Sequence, residues 1–264
     1  MGFFFSCYVN GMHPALLRLL GLPAQGSSYA HKVDFDLLLL HAGMAAMFII
    51  WAVLLAFLLI RYRRKEGRQA IYESTGGAWA LAGGVAIVLF ELIIIITYSI
   101  PTWSTISLRL PDEKKSNVIE VVGEQFAWNV HYPGPDGKFG RRAAQFVDSG
   151  NVLGLDPGDP DGNDDVVGLN ELHAPLGKPT LVYLTSKDVI HSFFIPAFRV
   201  KRDAVPGMVS PLWFEPILEG RFALSCAQLC GIGHANMQGV VITHPAEEFE
   251  AWLKEQSALK DATD

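Results

Sequence analysis

Charged residues are scarce in this chain: they make up 18% of its 264 residues, against 50% hydrophobic, which is lean for a wholly soluble protein. No internal repeat occurs, which argues against a solenoid or propeller. The run C-x-x-C-H is absent as well, so the chain attaches no c-type haem of its own. No basic flank precedes the first apolar run, where Arg18 and Lys32 are offset by Asp34 and Asp36, and positive charge gathers behind it, the reverse of a signal peptide. After Trp103 no apolar stretch is long enough to cross a bilayer. There are three cysteines. Cys7, behind FFFS, has too few residues before it for the apolar core of a lipoprotein signal, whereas Cys226 and Cys230 stand in a C-x3-C pair.

The apolar residues that are present are concentrated. Residues 37–60 contain only His41 as an ionisable group, and residues 78–100 only Glu91. At about 1.5 Å per residue, each run spans a hydrocarbon core of roughly 30 Å. Between them Arg61, Arg63, Arg64, Lys65 and Arg68 outweigh Glu66. The positive-inside rule makes that loop cytoplasmic and puts the first 35 residues and everything after Pro101 outside. Trp51 falls within a span, and Trp79, Tyr98 and Trp103 stand where interfacial anchors belong. A hairpin of two transmembrane helices over 36–101 is expected.

Beyond it the composition turns to Gly, Pro and short β-branched runs, enough for one core. Val118–Val122 alternate, and Phe126, Trp128, Val130 and Tyr132 occupy every second position, an aromatic stripe on one strand face. PGPDGKFG reads as a turn. Further runs at 180–184, 210–214, 221–225 and 239–243 are strand-like, and only 246–256, behind Pro245, reads as helix. Short strands without intervening helices predict an antiparallel sandwich or barrel. The segment LDPGDPDGNDDV carries five aspartates without a cation among them and reads as a solvated loop. His131, His173 and His244 have no Cys or acid partners at ligand spacing and are read as surface or hydrogen-bonded residues rather than ligands.

The chemistry is densest in CAQLCGIGHANM, residues 226–237. A C-x3-C pair alone is compatible with a disulfide, a redox thiol pair or a metal site. Thiolates with an imidazole and a thioether favour copper, since zinc rarely recruits methionine. A one-copper blue site needs one Cys, two His and a weak Met. The surplus thiolate fits two metals sharing two sulfur bridges, and His191 in KDVIHSFFIP offers the second imidazole. The Gln228 carbonyl could supply a sixth donor, and Gly231 and Gly233 let the loop fold close to the metals.

HSFFIPAFRVKRDAVPG followed by CAQLCGIGHANM, behind a two-helix hairpin, resembles subunit II of the haem-copper cytochrome c oxidases over nearly the whole chain. The resemblance implies a membrane α-hairpin followed by a cupredoxin-like Greek-key β-sandwich or barrel. It divides the chain into an exported N-terminal segment (1–35), the hairpin (36–101) and a periplasmic copper domain (102–264), in a bacterial inner membrane. His191, Cys226, Cys230, His234 and Met237 are then side-chain ligands of two copper ions, with Gln228 giving its carbonyl. The implied partners are subunit I, which holds the haem groups and reduces oxygen, other oxidase subunits, the lipid bilayer, and a cytochrome c or cytochrome c domain as donor. No nucleic-acid partner is expected. The net charge of −6 suits a basic donor and a salt-sensitive encounter.

The chain departs from that pattern twice. The family has a carboxylate where Gln228 stands, and its side chain helps hold magnesium at the interface with subunit I. A carboxamide keeps the carbonyl but lacks the charge a hard cation prefers, so the copper role carries over and the magnesium role does not follow. The family's aromatic stretch begins with tryptophan, whereas GEQFAW has Phe126 there and Trp128 two positions on. Electron uptake is assigned to Phe126 and Trp128, against a reading of both as core aromatics under the copper loop. Glu91 is expected to face another helix or a water-filled path, Glu73 to be an interfacial acid, and Asp203 to lie near the subunit interface or cap a turn. A membrane-tethered copper chaperone with C-x3-C and a distant His is the rival, and His234, Met237, the all-β pattern and the two spans speak against it.

Overall fold

Two apolar helices come first. A computed structural model of the chain describes residues 17, 19–67, 69, 72 and 76–261. Helix α1 (Ala30–Arg61) is rich in Leu, Ala and Ile and ends at its one last-turn cation, Arg61. Helix α2 (Gly77–Ile94) runs through a π-helical turn (Ile95–Ser99) into α3 (Ile100–Ser107). Pro101 explains the π turn: it cannot donate to the Thr97 carbonyl and its ring crowds that group, so the ladder widens one turn earlier. Both helices, Ala30–Arg61 and Gly77–Ser107, are long and apolar enough to cross a membrane. They run past the expected apolar runs, the first beginning at Ala30 and the second continuing beyond its π turn to Ser107. Phe48, Ile60, Ile93 and Ile96 are all exposed on them, as in a helix that is apolar all round and solvated by lipid. Within this hairpin the Phe35 and Tyr98 rings lie 5.5 Å apart, and Ser99 Oγ donates to Asp36 Oδ1 at 3.0 Å. Glu91 is exposed on α2. Cys7, Arg68 and Glu73 lie outside the described residues.

The chain divides into two compact units, one of Lys32–Thr105 and one joining the residues up to His31 with Ile106–Asp264. Among the described residues of the second unit, ten strands form two five-stranded sheets. One has the order β3-β2-β1-β5-β8, from Val166–Leu169 (β3), Ala127–Tyr132 (β2), Asn117–Glu124 (β1), Thr180–Ser186 (β5) and Ser210–Phe214 (β8). The other has the order β4-β10-β9-β6-β7, from Glu171–Pro175 (β4), Gln238–His244 (β10), Gly220–Cys226 (β9), His191–Ile195 (β6) and Val200–Ala204 (β7). The two sheets make a cupredoxin-like sandwich. The expected purely antiparallel pairing is corrected at two places, since β1 pairs β5 and β10 pairs β4 in parallel. The cause is the path of the chain: it leaves the first sheet after β3, enters the second as β4 and returns as β5, so neighbours arrive from the same end. Ile119, Val121, Trp128, Val130, Leu184, Phe193, Ile195, Phe214, Leu224 and Val241 are fully buried between the layers. The segment before α1 is strapped to this unit, with Gly26 N donating to Ala197 O at 2.8 Å and Ile217 N to Gly26 O at 2.9 Å. A Cβ on Gly26 would stand 2.5 Å from the Phe198 ring, so only glycine fits there.

The aspartate loop has partners that its own sequence does not contain. Arg141 meets Asp156 at 2.9 Å, and Lys138 meets Asp161 at 3.0 Å, exposed pairs of small energetic value. Asp165 is fully buried and accepts from His131 Nε2 at 2.7 Å and from Gly140 N at 2.8 Å. His131 also meets Glu120 at 2.9 Å, because β1–β2 register sets those residues opposite each other. Burial works against the charge on His131, and the hydrogen bonds with Asp165 and Glu120 overcome it, raising its pKa. His131 is thus a hydrogen-bonded histidine, as expected, and its acid partners lie 11 and 34 positions away in the sequence.

His173 and His244 also pair. His173 Nδ1 lies 2.8 Å from His244 Nε2, and Trp252 of helix α4 (Ala246–Asp261) stacks on the His173 ring at 3.8 Å. Burial and the neighbouring His244 depress His173 to about 4, against the opposing pull of Glu171. A depressed histidine stabilises the fold above its unfolded pKa of roughly 6.5, and the contribution is lost as pH falls toward the folded value. The detergent-solubilised chain is therefore expected to lose about 1–2 kcal/mol from this group between pH 6.5 and 4, after discounting for solvent screening. Thermal unfolding across that range checks this. His173→Phe, which keeps a ring for Trp252, is expected to flatten the acid decline, and an unchanged slope would contradict the assignment.

Candidate metal centre

Two strands and one loop build the site. His191 opens β6 and is fully buried, and Cys226 closes β9 and is nearly so. Phe193 and Cys226 are partners across the β6–β9 ladder, and Ala227 N donates to Ser192 O at 2.9 Å. This register holds the histidine strand against the start of the loop. The loop then doubles back through a short 3-10 turn (His234–Asn236), and Cys226 N donates to Met237 O at 3.1 Å as β10 begins. Gly231 takes a φ of 141° that suits glycine alone. A Cβ there would lie 2.7 Å from Gln125 Nε2, and one on Gly233 would lie 2.4 Å from the Phe126 ring.

All six residues named from the sequence converge. Cys226 Sγ lies 4.0 Å from His191 Nδ1, 3.8 Å from Cys230 Sγ and 3.1 Å from the Gln228 carbonyl oxygen. Cys230 Sγ lies 3.6 Å from His234 Nδ1 and 3.8 Å from Met237 Sδ. Both cysteines are free thiols. Donors held by a common metal at roughly 2.0–2.3 Å stand roughly 3.3–3.8 Å apart in tetrahedral geometry, so the spacing suits shared metal ligation. His191, Cys226 and Cys230 alone place their ligand atoms within 4.8 Å of one another. Burial, with the Cys226 thiol alongside, pushes the Cys230 thiol up to about 11. A metal ion would have to displace that proton, as thiolate-binding metals do.

Three sequence expectations are refined here. Phe126 sits in the turn between β1 and β2, outside the strand, so it does not share a strand face with Trp128. The turn carries it, half-buried, over Gly231 and Gly233. Trp128 is fully buried, with its ring centroid 6.0 Å from that of His191 and 5.5 Å from that of Phe193. Asp203 is exposed on β7 in register with Ser192, so it caps no turn.

Sequence reasoning passed over two residues beside the ligands. Asp188 Oδ1 lies 2.8 Å from His191 Nε2, and its other oxygen accepts from Gln125 N at 2.7 Å. Burial alone would raise the Asp188 pKa, but the bonds from His191 and from the Gln125 and Val189 amides hold it below the carboxylate range. Gln125 Nε2 donates to Cys230 O at 2.6 Å. An acid three positions before a metal-binding histidine was the available signal for Asp188; Gln125 had none.

Residues 117–244 match the family described as cytochrome c oxidase subunit II, periplasmic domain. An alternative cytochrome c oxidase subunit 2 from Bradyrhizobium diazoefficiens is 37% identical over 80% of this chain and 76% of its own length. A cytochrome c oxidase subunit 2 from Thermostichus vulcanus is 37% identical over 55% of this chain, but this chain spans only 35% of that protein. Among solved structures, the periplasmic domain of cytochrome oxidase subunit II of Bradyrhizobium japonicum is 31% identical, with a TM-score of 0.43. It covers 57% of this chain, which covers 99% of that domain.

Proposed function

The chain belongs to the cytochrome c oxidase subunit II family, and on that premise we propose that it is the electron-receiving subunit of a respiratory terminal oxidase, working through a binuclear copper centre. The observation that carries this is the convergence of two thiols, two imidazoles, a thioether and a carbonyl in one cluster. His191, Cys226, Cys230, His234 and Met237 would hold two copper ions through side chains, and Gln228 through its carbonyl. When bound, such a pair would supply one-electron storage and release. The chain supplies the rigidity: Cys226 and His191 sit on hydrogen-bonded strands, and Met237 is fully buried at the start of β10.

The family is membrane-anchored, and two apolar helices precede a domain of the periplasmic type. In this reading residues 36–101 span a bacterial inner membrane and 102–264 face the periplasm, behind a short exported segment. The donor is a cytochrome c or a cytochrome c domain of another subunit, and the acceptor is haem in subunit I, where oxygen becomes water. Phe126, half-buried over the metal loop, is where electrons enter, and Trp128 acts from beneath as the support of His191. Exposed Leu229 and Ile232 on the same loop add an apolar rim suited to a protein partner. Gln228 is exposed and uncharged, and only its carbonyl is assigned a role.

Copper analysis and electron paramagnetic resonance of the purified full chain test the proposal. Two coppers per chain, with one unpaired electron shared equally between them in the mixed-valence state, are expected. One copper per chain, or a signal confined to a single nucleus, would overturn it in favour of a copper carrier.

A further inference from the structure

We propose that Asp188 and Gln125 form a positioning clamp that sets the tautomer of His191 and ties it to the cysteine loop. The inference rests on the copper reading, but its first consequence belongs to the metal-free chain. The Asp188 carboxylate only accepts hydrogen bonds, so the His191 nitrogen 2.8 Å away, Nε2, must carry the proton. A neutral imidazole protonated on Nε2 leaves Nδ1 bare, and Nδ1 is the atom that faces Cys226 Sγ. The carboxylate therefore decides that the correct nitrogen of a fully buried ring is free for the metal.

Asp188 is itself fixed. Val189 N donates to Oδ1 at 2.6 Å, while Gln125 N donates to Oδ2 at 2.7 Å. The second of these joins it to the β1–β2 turn. From the same residue, Gln125 Nε2 donates to the Cys230 carbonyl at 2.6 Å. The path His191, Asp188, Gln125, Cys230 is thus a continuous chain of hydrogen bonds beside the donors, linking a strand ligand to a loop ligand independently of any metal. Gly231 leaves room for it, because a side chain there would collide with Gln125 Nε2. Partners that orient ligating histidines typically cost about 10–100-fold in metal affinity when removed.

Asp188→Asn is nearly isosteric but offers one oxygen and one NH2 group, so it cannot accept from His191 and from Gln125 N through separate oxygens. Nitrogen NMR of the 15N-histidine-labelled, metal-free chain is expected to show His191 as the Nε2–H tautomer in the wild type and a shift toward Nδ1–H in Asp188→Asn. Copper affinity is expected to fall about 10–100-fold in that variant, with a displaced visible spectrum and reduction potential. Gln125→Ala is expected to weaken copper binding by less and to move the spectrum in the same direction. Adding it to Asp188→Asn should cost little more, since both act through one chain of bonds. Wild-type tautomer, affinity and spectrum in both single variants would overturn the clamp. If instead the wild type holds fewer than two coppers, the copper reading fails while the tautomer measurement still decides the clamp.

Discussion

Cys226→Ser is expected to abolish the binuclear centre, leaving fewer than two coppers per chain and cutting cytochrome-driven oxygen uptake by more than about 100-fold, beyond the range seen when only a ligand's support is removed. Cys226 Sγ lies beside three other donors from two parts of the chain: His191 from β6, and Cys230 and the Gln228 carbonyl from the loop. Losing it removes the sulfur that both metals would share, and a serine hydroxyl is too hard and too weakly acidic to replace a thiolate for copper. The fold itself should persist. Serine differs from cysteine by one atom, and the backbone of Cys226 stays bonded to Met237 O, so the unfolding midpoint of the metal-free chain should stay near that of the wild type. Met237→Leu is the contrast: it removes one weak thioether on the far side of Cys230, keeps the apolar volume, and should retain both coppers with a changed potential. Two coppers in Cys226→Ser, by metal analysis, would show that the thiol is no ligand.

Much of that site was legible before any coordinates, because ligand chemistry constrains residue types more tightly than packing does. A thiol pair, two imidazoles and a thioether have few other uses in company, and a six-residue convergence follows once a metal is assumed. The hairpin was legible for a similar reason, since lipid tolerates few alternatives to a long apolar helix. What escaped were contacts made by common residues across sequence distance. Asp165 reads as one more loop aspartate until β2 brings His131 to it, and Glu120 reads as a solvent-facing strand residue until the β1–β2 register does the same. The β1–β5 and β4–β10 parallel pairs were hidden because strand patterns carry no direction, and only the crossing of the chain between sheets fixes it. Gln125 is an exposed glutamine in a turn, and nothing local foretells its bond to Cys230.

Trp128 separates packing from electron uptake, and the two substitutions that do so have opposite expected sizes. Trp128→Ala empties the space between the sheets against Phe193 and His191, and truncation of a fully buried tryptophan costs about 3–5 kcal/mol. For a domain of ordinary stability that is a large share of the total, so the unfolding midpoint should drop sharply and copper binding should weaken as His191 loses its wall. Trp128→Phe is different. The indole Nε1 is buried without a hydrogen-bond partner among the described residues, and an unsatisfied buried donor costs about 1–3 kcal/mol. Phenylalanine gives up some apolar contact but removes that penalty, so its net effect should stay within about 1.5 kcal/mol, with the ring still facing His191. Thermal unfolding and stopped-flow reduction by cytochrome c check both halves. If Trp128 only supports His191, the phenylalanine variant reduces at close to the wild-type rate while Phe126→Ala slows reduction. A slow Trp128→Phe of normal stability would instead place electron transfer through the buried indole.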